Sequence, residues 1–488
     1  MPRRTFIRSL AASAAAGSLA RAALGASASP HAGGEEWRDM DRGPEAYDSS
    51  RSAAALRAAR ARIREIRMRD WTLRFVDAAG RPRRDLKVDV TMTRHAFPFG
   101  DQVWPLDAWA RDGQWESERA RAWRGRFTEM FNAANNLCYW TERPRHDASK
   151  TEDRQGEPRV ENFARTVDWS LANGLTAKGH PLFWSIPKAV PEWVQRYDHA
   201  TAWKFAEVRV RNLVARFRGR VTMWDAVNEP MWEAAFKNLA ARQWPHIEPI
   251  GAIVDYVAPI LRWCREEDPD GRFLINDYGM EIDYPNPLTG NDGSSVTAAS
   301  QRKRYLQLIR ALQDGGTPPD GVGLQSHTGW MDHDYQGRLY DEFAAAGLPV
   351  HITEFWAETK ELEASGKHTP AEIDALQAEY IANYLTCAFA HPAVSSFFFW
   401  GFMGTAITWH GDRSGHDLKP AWTAVQSLIR QEWMTRETLV TNADGEVRFR
   451  GFYGDYAARL PWSDREPAQR GHRFALTREH TPLVEFVV

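Results

Sequence analysis

The chain has 488 residues, 43% of them hydrophobic and 26% charged, which suits one large soluble domain with smaller additions and is too long for a small module. No apolar run reaches the roughly 18 residues needed to cross a bilayer, so no membrane span is expected. The net charge of −2 becomes −6 once four arginines of a removable leader are set aside, 62 basic residues less four against 64 acidic ones, which argues against a nucleic-acid partner.

The chain opens on Pro-Arg-Arg-Thr-Phe-Ile-Arg (2–8), followed by a weakly apolar alanine-rich stretch from Ser9 to Leu24 and by Ala26-Ser27-Ala28, a small-x-small cleavage pattern. Residues 1–28 resemble a bacterial twin-arginine signal, which would send an already folded protein through the twin-arginine export machinery to the periplasm or the medium; a generic basic, alanine-rich start is the alternative. Cys138, Cys264 and Cys387 are odd in number and flanked by apolar residues, so buried free thiols are expected. Residues 29–62 read as a linker with a possible helix at 52–66. Within 63–94, alternation in Trp71, Leu73 and Phe75, a turn at Asp77-Ala78-Ala79-Gly80, and alternation in Leu86, Val88, Val90 and Met92 predict a β-hairpin.

From 95 to 432 short apolar runs alternate with amphipathic stretches. Candidate strands near 95–100, 133–140, 175–184, 221–228, 272–277, 320–326, 349–354 and 393–400 predict an α/β fold, a (β/α)8 TIM barrel. A helix around 420–432 ends it. Period two then returns, with Asp444-Gly445 as a turn between Leu439-Val440 and Val447-Arg448-Phe449, and 433–488 reads as a small β module sharing a sheet with 71–92. That module is either a sugar-binding appendage or a cover for the barrel. Among the 22 tryptophans, Trp184, Trp224, Trp400 and Trp409 sit at predicted strand ends, where a flat apolar face with a polar N–H can pack on a sugar ring.

Reacting groups of such barrels gather at the C-terminal strand ends. Glu229, in Trp-Asp-Ala-Val-Asn-Glu-Pro (224–230), ends strand four, and Glu354, in Val-His-Ile-Thr-Glu-Phe (350–355), ends strand seven. Two carboxyls about 5 to 5.5 Å apart across a glycosidic bond are what double displacement needs: one protonates the leaving oxygen while the other attacks the anomeric carbon. Asn228 can hold the sugar 2-hydroxyl. Adjacent residues point to opposite faces, however, so Asn228 and Glu229 both reach a substrate only at an irregular strand end, which Pro230 suggests. Asn-Glu-Pro is equally a helix-start sequence. An ionised Glu354 would keep Glu229 protonated as an acid, and esterification would free Glu229 to act as base. His351 and Glu354 point to opposite faces of a strand, Asp332-His333-Asp334 and Asp412–Asp417 read as solvated loop clusters, and no Gly-x-Gly-x-x-Gly precedes a helix. Neither metal nor cofactor is expected.

The motifs Trp224–Glu229, Thr353-Glu354, Gly179-His180 with Trp184, Asn276-Asp277-Tyr278, Gln325-Ser326-His327, Trp400-Gly401 and Lys419-Pro420-Ala421, in this order, resemble glycoside hydrolase family 10 over about residues 95–430. Its best-known members are retaining endo-1,4-β-xylanases. Arg69-Asp70 through Phe99-Gly100 and Arg450–Tyr456 resemble pieces of its plant-type and related bacterial members. The resemblance implies Glu229 as acid/base, Glu354 as nucleophile and His327 as the neighbour that hydrogen-bonds the nucleophile. It implies substrate contacts from Asn228, His180, Trp184, Asn136, Tyr139, Tyr278, Gln325, Trp356, Trp400 and Trp409. The chain also departs from the family. Its usual strand-two Glu and Lys are Asn135 and Tyr139 here, which removes charge-assisted bonds to sugar hydroxyls, and the usual Asp two residues beyond the nucleophile is Trp356, so His327 lacks that anionic partner. Ser185 stands where a His often follows Trp184. The expected function is a secreted retaining endo-1,4-β-xylanase acting on plant cell-wall polysaccharide; the alternatives are the same mechanism on another β-glycan or oligosaccharide, and a carbohydrate-binding protein without turnover.

Overall fold

The computed structural model describes residues 47–141, 144–186, 189–232, 246–283, 288–327, 330–402, 418–460 and 471–488. The leader, linker residues 29–46, Trp409 and the 412–417 cluster lie outside them. Eight parallel strands close into a barrel: β1 Phe99–Gln102, β2 Ala133–Leu137, β3 Thr176–His180, β4 Met223–Asn228, β5 Arg272–Asp277, β6 Gly321–Leu324, β7 Val350–Phe355 and β8 Val394–Phe399. The ring closes where β8 returns to β1, through Phe397↔Phe99, Phe398↔Gly100 and Phe399↔Asp101, which removes exposed strand edges. All residues of β2 and β7 are buried, as strands become when helices cover the outside and side chains fill the inside.

A helix follows each strand. After β7, Thr369 and Glu372 cap each other reciprocally and Pro370 takes the first helical position, so Pro370–Phe389 starts there. A Cβ on Gly179 would overlap the Trp224 indole, which is fully buried beside Phe163 of the outer helix Glu161–Ala172. Trp224 is therefore core and not a sugar platform. The three cysteines are buried and unbridged, and burial pushes the Cys138 and Cys387 thiols up to about 12.

The strands expected at 71–92 form, as Met68–Val76 and Lys87–His95, but not as a hairpin. Met68–Val76 pairs with Glu446–Phe452 and Leu483–Val487, whereas Lys87–His95 pairs with Arg436–Val440 and Gly454–Arg459. The turn is present, since Asp77 Oδ1 accepts from the N–H groups of Ala79 and Arg81 at 2.8 and 2.9 Å, yet the chain passes on to a second sheet. Alternation fixes which face of a strand is buried without naming its partner. The two sheets meet through Phe474 and Phe486, 5.3 Å apart, and Phe449 and Tyr456, 6.2 Å apart. The end of the expected linker, from Ala53 on, belongs to the helix Ala53–Ile66. Buried Arg67 donates to the carbonyls of Phe389, His391 and Val394, the first residue of β8, and Arg94 donates to Gly174 O at 2.9 Å, just before β3. The outer sheets thus adjoin the N-terminal strand ends, remote from the mouth where β-strand C-termini place chemistry.

Candidate active site

The C-terminal end of β4 is irregular twice over. Its pairing with β5 skips Ala226, since Asp225 opposes Leu274 and Val227 opposes Ile275. Glu229 then adopts a left-handed φ of 54° while its N–H bonds Asn276 O at 2.7 Å. That conformation costs a non-glycine residue on the order of 1 kcal/mol, and it lets two consecutive side chains share one network. Gln325 Nε2 donates to Glu229 Oε1 at 3.1 Å and to Asn228 Oδ1 at 3.4 Å. Asn276 Nδ2 donates to the same Asn228 Oδ1 at 2.9 Å and to Glu354 Oε1 at 2.8 Å, and Thr353 Oγ1 fixes that amide by donating to its Oδ1 at 2.5 Å. One chain of hydrogen bonds across four strand ends therefore joins two almost buried carboxyls, Glu229 at 9% and Glu354 at 4% exposure.

The two histidines expected here both face Glu354. His327 Nε2 donates to Oε2 at 2.9 Å, and His180 Nδ1 lies 3.8 Å from Oε1. Burial acts to raise the Glu354 carboxyl, but the electrostatic pull of His180 and the His327 hydrogen bond outweigh it and hold it below its ordinary value. Behind them His180 Nδ1 meets Asp225 Oδ2 at 2.7 Å, and Lys178 Nζ pairs with the same oxygen. Burial would raise the Asp225 carboxyl too, yet Lys178 and His180 bring it below its usual range.

Half-exposed aromatic residues border this network. The Trp400 ring lies 5.3 Å from His180 and 6.1 Å from His327, and Trp356 lies 6.0 Å from His327. Tyr139 is buried against His146 at 4.2 Å, His180 at 5.8 Å and Trp184 at 6.3 Å. Tyr278, half-exposed at the end of β5, stacks on Trp232 at 5.3 Å.

Asn136 is not brought to the mouth, contrary to expectation. Its Nδ2 donates to the Ala134 and Lys178 carbonyls at 3.1 and 3.3 Å, and its Oδ1 accepts from Ser170 at 3.2 Å on the outer helix, because its position in β2 faces that helix. Trp409 lies outside the described residues. Sequence reasoning passed over Lys178 and gave Asp225, Asn276 and Thr353 no role beyond the motifs that hold them. Lys178 carried a usable signal, since a lysine within the run Leu175–His180 must be buried with a counter-charge. Among the described residues no group of three His, Cys, Asp or Glu side chains is placed to hold a metal ion.

A closed (β/α)8 barrel with two carboxyls and a carboxamide bridged at its mouth defines the class, that of glycoside-cleaving barrels. The chain belongs to glycosyl hydrolase family 10, whose model matches residues 133–423. It is 25% identical over 403 residues to the anti-sigma-I factor RsgI6 of Acetivibrio thermocellus and 22% identical over 417 residues to endo-1,4-beta-xylanase 3 of Arabidopsis thaliana. These alignments cover 81% and 83% of this chain but 45% and 48% of the relatives, so the chain spans about half the length of the curated relatives it matches. The crystal structure of xylanase 10B from Thermotoga petrophila RKU-1 in complex with xylobiose superposes with a TM-score of 0.52 at 20% identity, covering 69% of this chain and 95% of that one, a likeness in fold.

Proposed function

We propose that this protein is an exported retaining glycosidase that cleaves β-1,4-linked plant cell-wall polysaccharide, with endo-1,4-β-xylanase activity, by double displacement. Glu354 attacks the anomeric carbon while Glu229 protonates the leaving oxygen, leaving a glycosyl ester on Glu354. Glu229 then takes a proton from water as that water attacks the same carbon, and Glu354 departs as a carboxylate with configuration retained. The observation that carries this reading is the hydrogen-bonded chain Glu229–Gln325–Asn228–Asn276–Glu354. Because Asn228 Oδ1 accepts from both sides, its amide N–H groups are the ones to meet a sugar 2-hydroxyl. Trp184, Trp356 and Trp400, each half-exposed, offer faces for sugar rings. Export to the periplasm or medium through the twin-arginine machinery rests on the arginine pair and the cleavage pattern of the leader.

Asn135 and Tyr139 at the end of strand two favour a second reading, the same mechanism on another β-glycan or oligosaccharide, because neither can grip a hydroxyl through a charge. The likeness over 81% of the chain to a protein named as an anti-sigma-I factor and not as a glycosidase is the observation behind a third, sugar binding without turnover. Xylan, mixed-linkage glucan and aryl β-glycosides, offered to the wild type and to Glu354→Ala, separate them, with the anomeric form of the first product read by NMR. Release from xylan as the β-anomer by the wild type alone supports the proposal; release from the glucan or the aryl glycosides alone supports the second reading. Equal release by both proteins removes Glu354 from the mechanism, an α-anomer as first product refutes retention, and no release from any substrate leaves binding.

A further inference from the structure

Gln325 and His327, the donors to the two glutamates, bracket Ser326, a residue 1% exposed with a left-handed φ of 57°. Such a conformation persists only where the surroundings over-determine it. Ser326 Oγ donates to Glu281 Oε1 at 3.0 Å and accepts from Tyr384 OH at 3.2 Å, while Ser326 O accepts from Trp356 N at 3.3 Å. Glu281 is fully buried. Its Oε2 accepts from Met280 N at 3.3 Å, its backbone carbonyl accepts from Tyr335 OH at 2.6 Å, and Arg302 is occupied by Met280 O at 2.8 Å and by Glu342 at 2.8 Å. Among the described residues no cation forms an ion pair with the Glu281 carboxyl, and burial, only partly offset by the Ser326 hydrogen bond, raises it above its ordinary value. A carboxyl buried without a cation is costly to stability, yet this one stands directly behind the turn that carries both site donors.

We propose that Glu281 is a positioning residue for the glycosidase reaction: by holding Ser326 Oγ it locks the left-handed turn that sets Gln325 against Glu229 and His327 against Glu354 together. Glu281 touches neither the substrate nor the reacting atoms. The inference rests on the reading of Glu229 and Glu354 given above. Slackening the turn loosens the hydrogen bonds to both carboxyls at once. Glu354 then ionises less readily, so kcat falls while KM changes little, and the acid limb of the pH profile moves to higher pH.

The test compares the wild type with Glu281→Ala, Ser326→Ala and Glu281→Gln on an aryl β-xyloside across pH. In Glu281→Ala and Ser326→Ala kcat is expected to fall about tenfold or more, the scale of one lost buried hydrogen bond, with the acid limb displaced upward. Glu281→Gln, which still accepts from Ser326 Oγ, should stay within about threefold of the wild type. Ser326→Ala carries the comparison if Glu281→Ala fails to fold. Wild-type kcat and acid limb in the folded alanine variants overturn the proposal, as does a Glu281→Gln enzyme as impaired as Glu281→Ala. A wild type that turns over nothing refutes the activity itself and leaves the turn to be judged by histidine NMR: the His327 ring signals should move in the alanine variants and stay in Glu281→Gln, and unmoved signals in all three overturn it.

Discussion

Replacing His327 by alanine removes the donor 2.9 Å from Glu354 Oε2 while His180 stays 3.8 Å from Oε1 and the carboxyl stays buried. Burial, which raises the Glu354 carboxyl, is then opposed by His180 and the Asn276 hydrogen bond without the His327 contribution. A hydrogen bond to a charged group contributes about 1.5 to 3 kcal/mol, so its loss should disfavour the ionised form of Glu354 by about 10- to 100-fold and move its ionisation to higher pH. In the proposed mechanism Glu354 attacks in its ionised form. The acid limb of kcat/KM, which reports the free enzyme, should therefore move to higher pH, with the largest loss of rate at low pH, about 10- to 100-fold, and the smallest near neutrality. His327→Gln keeps an N–H donor in a different geometry and should fall between the two. The assay is initial rates from about pH 3 to pH 8 on an aryl β-glycoside with a good leaving group, which depends least on proton donation by Glu229, with thermal melts at each pH to verify folding. An acid limb that stays in place in folded His327→Ala would refute the assignment of Glu354 as a nucleophile under His327 control.

Glu229→Ala should lose about 10²- to 10⁴-fold in rate on xylan yet still form the glycosyl ester from activated aryl glycosides, and azide should restore release; no acceleration by azide contradicts the acid/base role. Asp107 is fully buried, neither of its oxygens has a hydrogen-bond partner among the described residues, and burial raises its carboxyl well above the ordinary value. A carboxyl raised in the folded state lends stability that is fully present below its unfolded value and lost as pH rises through the folded one, so Asp107→Asn should raise Tm more at about pH 8 than at about pH 4, and calorimetry showing a drop at the higher pH contradicts this. Lys178→Met breaks a fully buried pair with Asp225, and about 3 to 5 kcal/mol of stability should vanish in urea unfolding, part of it recovered in Lys178→Met/Asp225→Asn. Recovery of nothing in the double variant means the two charges do not stabilise each other.

The barrel was legible because its strands are buried on both faces and so leave apolar runs that stand out from amphipathic helices. The expected runs at 272–277 and 349–354 are found as Arg272–Asp277 and Val350–Phe355. The glutamates were legible for a related reason, since a carboxyl at the end of such a run has no structural excuse. Partner choice in the outer sheets was not. Trp71, Leu73 and Phe75 bury the same face whether their strand pairs with Lys87–His95 or with Glu446–Phe452, and only the second pairing occurs. Asn136 failed for want of phase: in Ala-Ala-Asn-Asn-Leu every residue is buried, so nothing local says which asparagine faces inward and which meets Ser170. The Lys178–Asp225 pair joins residues on neighbouring strands, and its register exists only once the sheet has closed.

Three non-glycine residues among those described have positive φ, and two of them, Glu229 and Ser326, lie at the site. A regular strand turns alternate residues outward, so a barrel of regular strands offers each strand end one inward side chain. Putting Asn228 and Glu229 into one network, with Gln325 and His327 divided between two carboxyls, requires that alternation to fail at β4 and just beyond β6. The strain, on the order of 1 kcal/mol at each position, is offset locally by the Glu229 N–H bond to Asn276 O at one and by the Glu281–Ser326–Tyr384 contacts at the other. Under the proposed mechanism, catalysis in this barrel would therefore rest on the backbone as much as on the two acids. A chain that kept both glutamates but ended β4 and β6 regularly would hold the same functional groups and present them on opposite sides of the barrel wall.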